Sequence, residues 1–563
     1  MLLALVCYLP GVMALPPVDR SEILYAENAQ EMLEQNEPFD PRFIGQSQAH
    51  RPIGTYWLQM ASAWLAPESE RGDITTYRIP SLIGVAMAVL LVFLMLAPPM
   101  GETRALVAAA LFAVTPIVAL EANLAVTEGA VLGSAVLAQL ALLRIYTAPE
   151  GAPTRAMALL FWAAQGLSIT LNALAVPILS LVTVTALYAL DRKLGWLRRL
   201  HALTGVPLML VLGAPWLLVR AGLDGGIPFH GMPLGDLLAA LGGSQHMQWK
   251  AIPLTFTLAL ALGFLPGAVF WIPALKTIWQ RRQEALPRFL LCWLAGYFLY
   301  LELVSSKPAL YSVHVLFPAA AAAVVLAMTR NAPDGRRWEW PPGTLVPPVA
   351  LVALGVPALY GGILWLLGEW PDPGLLVGAV AVTLLLSLAT AAGRARLPLA
   401  WVALSIASFV AFLAFTFGVY LPHLHKVWPA VRIAEAVGPL APCTPGPVGI
   451  VGFREPSAIF VLGDDTKKAN VEDVAAWAAD GERRIALVDD LWHGDLLQAL
   501  ARRGAALPPR AGCVKAFNVM RGCPLTFSIY VTGAPKLDPG CKVPARFACK
   551  DKTPAPAGPA RCR

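Results

Sequence analysis

Apolar segments recur through the first 420 residues and are separated by short polar connections. A bilayer span needs about 20 residues, with about 17 as the lower limit, and most of the segments are of this length. They lie at residues 2–15, 79–97, 104–121, 124–143, 156–171, 173–190, 202–219, 253–274, 288–304, 310–328, 344–366, 374–391 and 398–420. This pattern predicts a polytopic α-helical membrane protein with about 13 transmembrane helices.

The first segment, residues 2–15, has a second interpretation as the hydrophobic part of a secretory signal, because Val12-Met13-Ala14 is similar to a cleavage site. However, no basic residue precedes this segment, and many further apolar segments follow it. We therefore interpret it as a slightly short first transmembrane helix.

The composition supports a membrane protein. The chain is 57% hydrophobic and 14% charged, whereas about a quarter of the residues are charged in an average soluble domain. The formal net charge is +7. This charge does not indicate a nucleic-acid partner, because the cations lie mainly in loops between apolar segments, where the topology of a membrane protein explains them. Membrane lipids are the expected surroundings.

The basic residues are distributed unevenly between alternate loops. The loop after the sixth span alone contains four: Arg192, Lys193, Arg198 and Arg199. The short loops on the other side contain few, notably Arg220, Lys250 and Lys307. Because cytoplasmic loops are enriched in Lys and Arg, we predict a cytoplasmic N-terminus, with the loop 16–78 and the tail from residue 421 on the periplasmic side.

The tail, residues 421–563, is predicted to form a small α/β domain beside the transmembrane domain, residues 1–420. Strands are expected at 448–453, 458–462 and 484–488, and helices at 470–480 and 492–503. The tail contains six of the eight cysteines: Cys443, Cys513, Cys523, Cys541, Cys549 and Cys562. An even number outside the cytoplasm indicates disulfides. Free thiols are the alternative, above all for Cys562 in the end 552–563, which we predict to be disordered.

The loop 16–78 contains most of the candidate chemistry. Residues 19–34 can form an amphipathic helix that lies on the membrane surface. Asp19 begins this helix and Glu22 follows three residues later, which is also the spacing of a capping box at a helix N-terminus. The two carboxylates are therefore candidates either for catalysis or for capping the helix.

A basic and aromatic cluster follows in the same loop, where His50 and Arg51 precede Tyr56 and Trp57. With the carboxylates, this cluster could hold a sugar and a phosphate together. His50 and Glu22 form a candidate metal-ligand pair, but a lone histidine without a second spaced histidine is more often a surface residue. No cofactor is predicted with certainty, and a divalent cation is left open.

Several motifs follow one another in a family-specific order. They are Asp19-Arg-Ser-Glu-Ile-Leu-Tyr-Ala26, Arg51-Pro-Ile-Gly-Thr-Tyr-Trp-Leu-Gln59, Tyr77-Arg-Ile-Pro-Ser81, Gly263-Phe-Leu-Pro266 and, in the tail, Phe453-Arg-Glu-Pro-Ser457. Through most of its length the chain resembles the GT-C membrane glycosyltransferases of the protein mannosyltransferase and aminoarabinose (lipid A) transferase type, in their bacterial branch.

The resemblance implies an enzyme that takes a sugar from a polyprenyl-phosphate carrier at the periplasmic face of the bacterial inner membrane. The expected acceptor is a lipid A-like glycolipid. By resemblance, Asp19 is the acidic residue of the first outer loop. We predict Asp19 and Glu22 as the catalytic carboxylates, with Asp19 as general base for a hydroxyl acceptor. Arg51 and Lys307 are expected to bind the donor phosphate, with Tyr311 close by.

Four further residues are candidate substrate contacts: Tyr56, Trp57, Glu128 and Glu302. Glu128 matches the second acidic residue of the family, as Glu rather than Asp. Carboxylates within a membrane are functional by default, but those near a span end, such as Glu128 and Glu302, can also extend to the interface. Trp57 has an alternative role as an interfacial anchor.

The chain also departs from the family pattern. The basic-Pro motif is Arg51-Pro52 rather than Lys-Pro, and the turn that usually contains Lys-Gly-Pro is Asn172-Ala173-Leu174. An arginine can still bind a phosphate through two hydrogen bonds. Because of these departures, two other functions stay open: a protein O-glycosyltransferase and a non-catalytic carrier or flippase of lipid-linked sugars.

Overall fold

The computed structural model describes residues 1–18, 21–43, 46–47, 52–223, 254–303, 310–329, 347–370, 373–394, 398–444, 446–453, 455–463, 466–519, 522–533 and 542–549. The chain folds into two compact units. The first contains residues 1–15 and 28–420, and the second contains residues 16–27 and 421–563.

Each of the 13 predicted apolar segments lies on helix in the residues described. The helices up to residue 415 are α1 (Leu2–Ala14), α2 (Ser21–Glu34), α3 (Gly54–Leu65), α4 (Ile74–Met100), α5 (Glu102–Ala113), α6 (Pro116–Ala122), α7 (Thr127–Thr147), α8 (Arg155–Asn172), α9 (Ala175–Asp191), α10 (Ala202–Leu223), α11 (Thr255–Gly263), α12 (Trp271–Gln280), α13 (Ala285–Leu303), α14 (Phe317–Met328), α15 (Pro347–Leu367), α16 (Pro373–Arg394) and α17 (Pro398–Phe415). A 3₁₀ helix, Leu310–Leu316, precedes α14, and a hairpin of β1 (Arg42–Phe43) and β2 (Gln46–Ser47) precedes α3.

Two of the predicted spans are broken. The segment 104–121 is divided into α5 and α6, which meet at 67°. Pro116 begins α6, and the extended backbone of Thr115 precedes it; proline has no N–H with which to continue the helix before it. The segment 253–274 is likewise divided between α11 and the helix of residues 267–280, at 108°.

Five of the described helices are long and apolar enough to cross a membrane, or seven if each bent pair counts as one span. The five are α4, α7, α13, α16 and α17 with its continuation. Shorter apolar helices, among them α1 and α9, accompany them. The chain is therefore a membrane protein with several spans, and the number of thirteen stays a prediction.

Glycines allow α4 and α7 to pack closely. A Cβ atom at Gly84 would lie 2.3 Å from the carbonyl oxygen of Gly129, and one at Gly133 would lie 3.0 Å from the carbonyl oxygen of Gly84. Small residues let helix backbones approach one another in membranes. This contact holds the first turn of α7, which contains Glu128, against α4.

The end of α1 is fixed by a buried arginine. Arg78, in α4, is fully buried, and its Nη1 donates to the carbonyl oxygens of Val12 and Leu15 at 3.2 and 2.6 Å. The last carbonyls of a helix have no N–H partner within the helix, so Arg78 supplies the missing donor. The first polar loop begins directly after this point in the sequence.

The second unit contains a five-stranded sheet in the order β4-β3-β5-β7-β6. Its strands are β3 (Gly449–Val451), β4 (Lys467–Lys468), β5 (Ile485–Asp489), β6 (Arg510–Asn518) and β7 (Cys523–Val531). Strand β3 pairs in parallel with β4 and β5, and β7 pairs antiparallel with β5 and β6. Leu487 of β5 lies opposite Ile450 of β3 and Ile529 of β7.

Helices cover both faces of this sheet. They are α18 (Pro429–Val437), α19 (Ser457–Leu462), α20 (Val471–Ala479) and α21 (His493–Arg503). Leu487 packs with Phe527 on one face, and Ala486 and Val488 pack with Leu496 on the other. Because both faces are covered, β5 is a continuous apolar run rather than an alternating one. The prediction of a small α/β domain in the tail is confirmed.

One predicted strand of the tail is wrong. Residues 458–462 lie in α19, which begins after Pro456 and buries Ser457, Ala458 and Ile459. A short apolar run fits a buried strand and a buried helix equally well, because periodicity alone cannot separate them. The long strands β6 and β7 were not predicted.

The tail contains disulfides, as predicted. Cys513 of β6 is bonded to Cys549, and Cys443 and Cys523 are each in a disulfide. Cys541 and Cys562 lie outside the described residues, as does the end 552–563.

Candidate functional site

A turn, residues 123–126, connects α6 and α7 and is held by hydrogen bonds from two other helices. Gln59 of α3 donates to the carbonyl of Ala125 at 3.1 Å, and Ser81 of α4 donates to that of Val126 at 3.0 Å. The hydroxyls of Thr55 and Thr127 lie 3.1 Å apart. The backbone of the turn that follows α6 is therefore held by α3 on one side and by α4 on the other.

Two buried carboxylates flank this turn. Glu121 is at the end of α6 with its side chain 2% exposed, and Glu128 is in the first turn of α7 and is 6% exposed. The N-terminus of a helix favours a negative charge, which suits Glu128. The two residues are neighbours in space, because a Cβ atom on Gly129 would lie 2.7 Å from the carbonyl oxygen of Glu121. Glu128 was predicted as a substrate contact, whereas Glu121 was not singled out.

A histidine from a distant part of the sequence reaches the same place. His314 lies in the 3₁₀ helix Leu310–Leu316, and its Nδ1 is 2.9 Å from Oε1 of Glu121. Its side chain is 4% exposed. The segment that contains Tyr311 is therefore brought to the turn 123–126 and its flanking carboxylates Glu121 and Glu128, which together are called the acidic turn. For the side chain of Tyr311, and for Lys307, the predicted positions lie outside the described residues.

The predicted catalytic carboxylates are described only in part. Asp19, His50 and Arg51 lie outside the described residues. Glu22 is 1% exposed, and its Oε2 accepts a hydrogen bond from the N–H of Val18 at 2.8 Å. A capping box would instead need the N–H of Asp19 as donor, so the helix-cap interpretation also stays a prediction. The catalytic role of Glu22 stays a prediction.

The two predicted aromatic contacts pack within the first unit. Tyr56 is fully buried, and its hydroxyl accepts a hydrogen bond from Asn28 at 3.4 Å. Trp57 donates from Nε1 to the carbonyl of Pro38 at 2.6 Å and meets the ring of Phe39 edge-on at 6.0 Å. These contacts connect α3 to the chain before it, and contact of either ring with a sugar stays a prediction.

Glu302, the last candidate contact, is half-buried near the end of α13. Its Oε1 accepts a hydrogen bond from Thr257 of α11 at 3.4 Å. No group of three or more His, Cys, Asp or Glu side chains is placed to bind a metal ion in the part of the chain that the structure describes. The divalent cation therefore stays an untested alternative.

The described residues supply carboxylates and one imidazole, which can accept protons or bind cationic groups. They do not by themselves neutralise a phosphate, which needs cations such as Arg51 and Lys307. The structure thus describes the acidic part of the candidate site, which is built by α3, α6, α7 and the 3₁₀ helix. The basic part, with Arg51 and Lys307, lies outside the described residues.

Comparison with known proteins gives the relatives of this arrangement. A family model described as dolichyl-phosphate-mannose-protein mannosyltransferase matches residues 4–219. The undecaprenyl phosphate-α-4-amino-4-deoxy-L-arabinose arabinosyl transferase 1 of Pseudomonas fluorescens is 26% identical over 313 residues, which are 53% of each chain. The corresponding transferase of Pseudomonas aeruginosa is 27% identical over 309 residues, again 53% of each chain. The chain thus spans about half the length of the curated relatives it matches.

The fold is similar to solved structures over nearly the whole chain. The crystal structure of ArnT from Cupriavidus metallidurans bound to undecaprenyl phosphate has a TM-score of 0.71 and 16% identity, and the match covers 94% of this chain and 96% of that chain. The apo form of the same protein has a TM-score of 0.70. At this level of identity the likeness establishes the fold.

Proposed function

We propose that this chain is a glycosyltransferase. In sequence and in fold it is similar to the GT-C type of the protein mannosyltransferases and aminoarabinose transferases. It would move a sugar from a polyprenyl-phosphate carrier to a lipid A-like glycolipid at the periplasmic face of the inner membrane. The observation that carries the proposal is the acidic turn, where Glu121 lies 2.9 Å from His314, in the segment of Tyr311, and Glu128 begins the next helix. The names of the relatives support a polyprenyl-phosphate donor.

The proposed chemistry is a displacement at the anomeric carbon of the sugar. The bond from this carbon to the carrier phosphate breaks, and a bond to the acceptor oxygen forms. Negative charge develops on the departing phosphate oxygen, which Arg51 and Lys307 would stabilise, with Tyr311 nearby. If the acceptor is a hydroxyl, its proton passes to Asp19 as general base. Glu22 would act with Asp19 as the second catalytic carboxylate, and Glu128 would bind the sugar.

The proposal includes an organisation and a topology. Residues 1–420 would form the transferase domain, with the loop 16–78 at the periplasmic face, and residues 421–563 would form a periplasmic domain. The N-terminus would be cytoplasmic. The excess of basic residues in alternate loops supports this orientation, and the disulfide between Cys513 and Cys549 supports an oxidising compartment for the tail.

The test of this function is transfer by the purified protein. The protein is incubated with a labelled polyprenyl-phosphate sugar and a glycolipid extract, and free polyprenyl phosphate and labelled glycolipid are measured. Both should appear in equal amounts. Movement of the labelled lipid across a vesicle membrane without release of polyprenyl phosphate would instead identify a carrier, and label on protein would identify a protein O-glycosyltransferase.

The first variant to measure is Asp19→Asn. With a hydroxyl acceptor, loss of the general base should lower the transfer rate by roughly two to four orders of magnitude. A phosphate acceptor is already ionised near neutral pH, since its second pKa is about 6, and should leave residual activity. Glu34→Gln, which makes the same carboxylate-to-amide change at an exposed position of α2, should transfer at the native rate. A native rate in Asp19→Asn would contradict the catalytic role.

A further inference from the structure

Glu121 and His314 form a buried pair between segments that are far apart in the sequence. Oε1 of Glu121 and Nδ1 of His314 are 2.9 Å apart, and neither side chain is more than 4% exposed. One residue ends α6, and the other lies in the 3₁₀ helix Leu310–Leu316. The chemistry proposed above assigns no step to either residue.

The backbone around Glu121 is tightly packed. A Cβ atom on Gly129 would lie 2.7 Å from the carbonyl oxygen of Glu121, so the first turn of α7 packs directly on this backbone. Two residues later, Asn123 donates to the carbonyl of Ala119 at 2.6 Å and is fully buried. Both carboxylate oxygens of Glu121 are buried, and neither accepts a hydrogen bond from the residues described, although His314 lies 2.9 Å from Oε1. The packing therefore fixes the backbone that carries the carboxylate.

A buried pair of ionisable groups contributes little net stability to a fold. Desolvation of two ionisable groups offsets most of their attraction, and well-packed apolar residues often stabilise as much or more. Loss of one partner is nevertheless strongly destabilising, because the other group is left buried alone. Such pairs are better explained by the need for one particular arrangement of the segments they join.

We infer that Glu121 and His314 are positioning residues for the sugar donor. Their contact holds the 3₁₀ helix Leu310–Leu316 against the turn that contains Glu128. This inference rests on the proposed function, in which Tyr311 and Lys307 contact the carrier phosphate. Neither Glu121 nor His314 is placed in contact with the reacting atoms.

The geometry of the 3₁₀ helix explains how a contact at His314 can set the backbone position of Tyr311. Val313 and Leu316 are fully buried, so apolar packing holds one face of the helix. The contact of His314 with Glu121, at 2.9 Å, holds a second face. A 3₁₀ helix has three residues per turn, and Tyr311 precedes His314 by three. The backbone at Tyr311 is therefore set by the same contact.

The experiment compares His314→Gln, Glu121→Gln and the double variant with the native protein. The measurements are kcat and KM for a polyprenyl-phosphate sugar, the dissociation constant of polyprenyl phosphate, and the unfolding midpoint. Each single variant should raise the donor KM and the dissociation constant about tenfold, with kcat changed by less than about threefold. The double variant should be no weaker than the worse single variant, because two amides can pair and residues in contact are not additive.

A matched control lies in the same unit. Asp191 and Arg288 form a partly buried pair, with Oδ2 and Nη1 3.3 Å apart and side chains 8% and 18% exposed. This pair joins α9 to α13. Asp191→Asn should lower the unfolding midpoint as His314→Gln does, but leave the donor KM within about twofold of the native value. If His314→Gln leaves the donor KM and dissociation constant unchanged, or if Asp191→Asn raises them equally, the positioning role is overturned.

Failure of the proposed function would be visible separately. If the native protein releases no polyprenyl phosphate but binds it, the proposed transfer is wrong, and the dissociation constants still decide the role of the pair. Weaker binding in both single variants then supports positioning, and equal binding overturns it. A native protein that neither transfers sugar nor binds polyprenyl phosphate overturns both.

Discussion

Arg78 is a fully buried cation within the apolar helix α4. Its charge is compensated by the carbonyl dipoles at the C-terminus of α1, where a positive group is favoured. The hydrogen bonds to Val12 and Leu15 are 3.2 and 2.6 Å long. The first loop begins just after these residues in the sequence.

We expect Arg78→Met to lower the free energy of unfolding by roughly 2 to 3 kcal/mol, because it removes charged hydrogen bonds to buried carbonyls. The unfolding midpoint of the purified protein in detergent measures this loss. Arg155→Met is the control, since Arg155 is exposed at the start of α8, and its midpoint should equal that of the native protein. Equal midpoints for all three proteins would show that the contacts of Arg78 contribute nothing to stability.

The residues of the acidic turn differ in how far the sequence could reveal them. Glu128 was found by its match to a family motif, and it is buried in the first turn of α7. Glu121 and His314 lie within or at the end of predicted spans and match no motif. An ionisable residue inside an apolar segment is itself a signal. The sequence cannot, however, show that these two meet, because only the fold brings their segments together.

At the scale of elements, the contact of α4 with α7 depends on glycine. Gly84→Ala would place a methyl group 2.3 Å from the carbonyl oxygen of Gly129, and backbone atoms cannot move aside as a flexible side chain can. Such overpacking costs roughly 1 to 3 kcal/mol. We expect a lower unfolding midpoint and lower transfer activity, since Glu128 is in the displaced turn.

Gly361→Ala is the control for this change. Gly361 lies in α15, and a Cβ atom there would meet nothing within 4 Å. Alanine is favoured over glycine inside a helix by about 1 kcal/mol, so this variant should be as stable as the native protein or slightly more stable. If Gly84→Ala is equally stable and active, the close packing of α4 and α7 is not required.

The elements of the tail were predictable where their apolar runs were long or had clear ends. Strands β3 and β5 and helices α20 and α21 follow the predicted segments. The run 458–462 was assigned to the wrong class because its five residues are too short to show a period. Strands β6 and β7 were not predicted because polar residues such as Lys515 and Thr526 interrupt their apolar residues. The places of these polar residues in the sheet depend on strand pairing.

His493 gives the sheet of the tail a dependence on pH. Its Nδ1 lies 3.2 Å from the hydroxyl of Tyr530, and the two rings stack nearly in parallel. Partial burial, and then the positive charge of Arg510, lower the pKa of His493 below its usual value of about 6.5. The unfolded chain then binds a proton that the folded chain does not. Stability from this residue is therefore complete above the unfolded pKa and decreases as the pH falls towards the folded pKa.

Hydrogen exchange of the full-length protein measures this effect. Between pH 7.5 and 5.5, peptides that contain β5 and β7 should lose protection after correction for the intrinsic exchange rate. In His493→Gln, which does not titrate, the loss should be smaller. An identical pH dependence in the two proteins would assign the loss to other groups.

At the scale of the whole molecule, the oxidised cysteines of the tail and the distribution of basic residues make one joint prediction. Cytoplasmic proteins rarely keep disulfides, and Cys443, Cys513, Cys523 and Cys549 are all oxidised. The same tail follows the last apolar segment, for which the basic loops predict a periplasmic exit. The two lines of reasoning are independent, because cysteine chemistry plays no part in the rule for basic residues.

A thiol reagent that cannot cross membranes tests both lines at once. The variant Cys7→Ala/Cys292→Ala removes the two buried free thiols of the first unit, so any label reports on the tail. In intact spheroplasts, we expect label only after a reductant has been added. Immediate labelling of Cys443, Cys513, Cys523 and Cys549 without reductant would contradict the disulfides. Labelling that requires lysis of the inner membrane would place the tail in the cytoplasm, and the proposed periplasmic site would then be on the wrong side of the membrane.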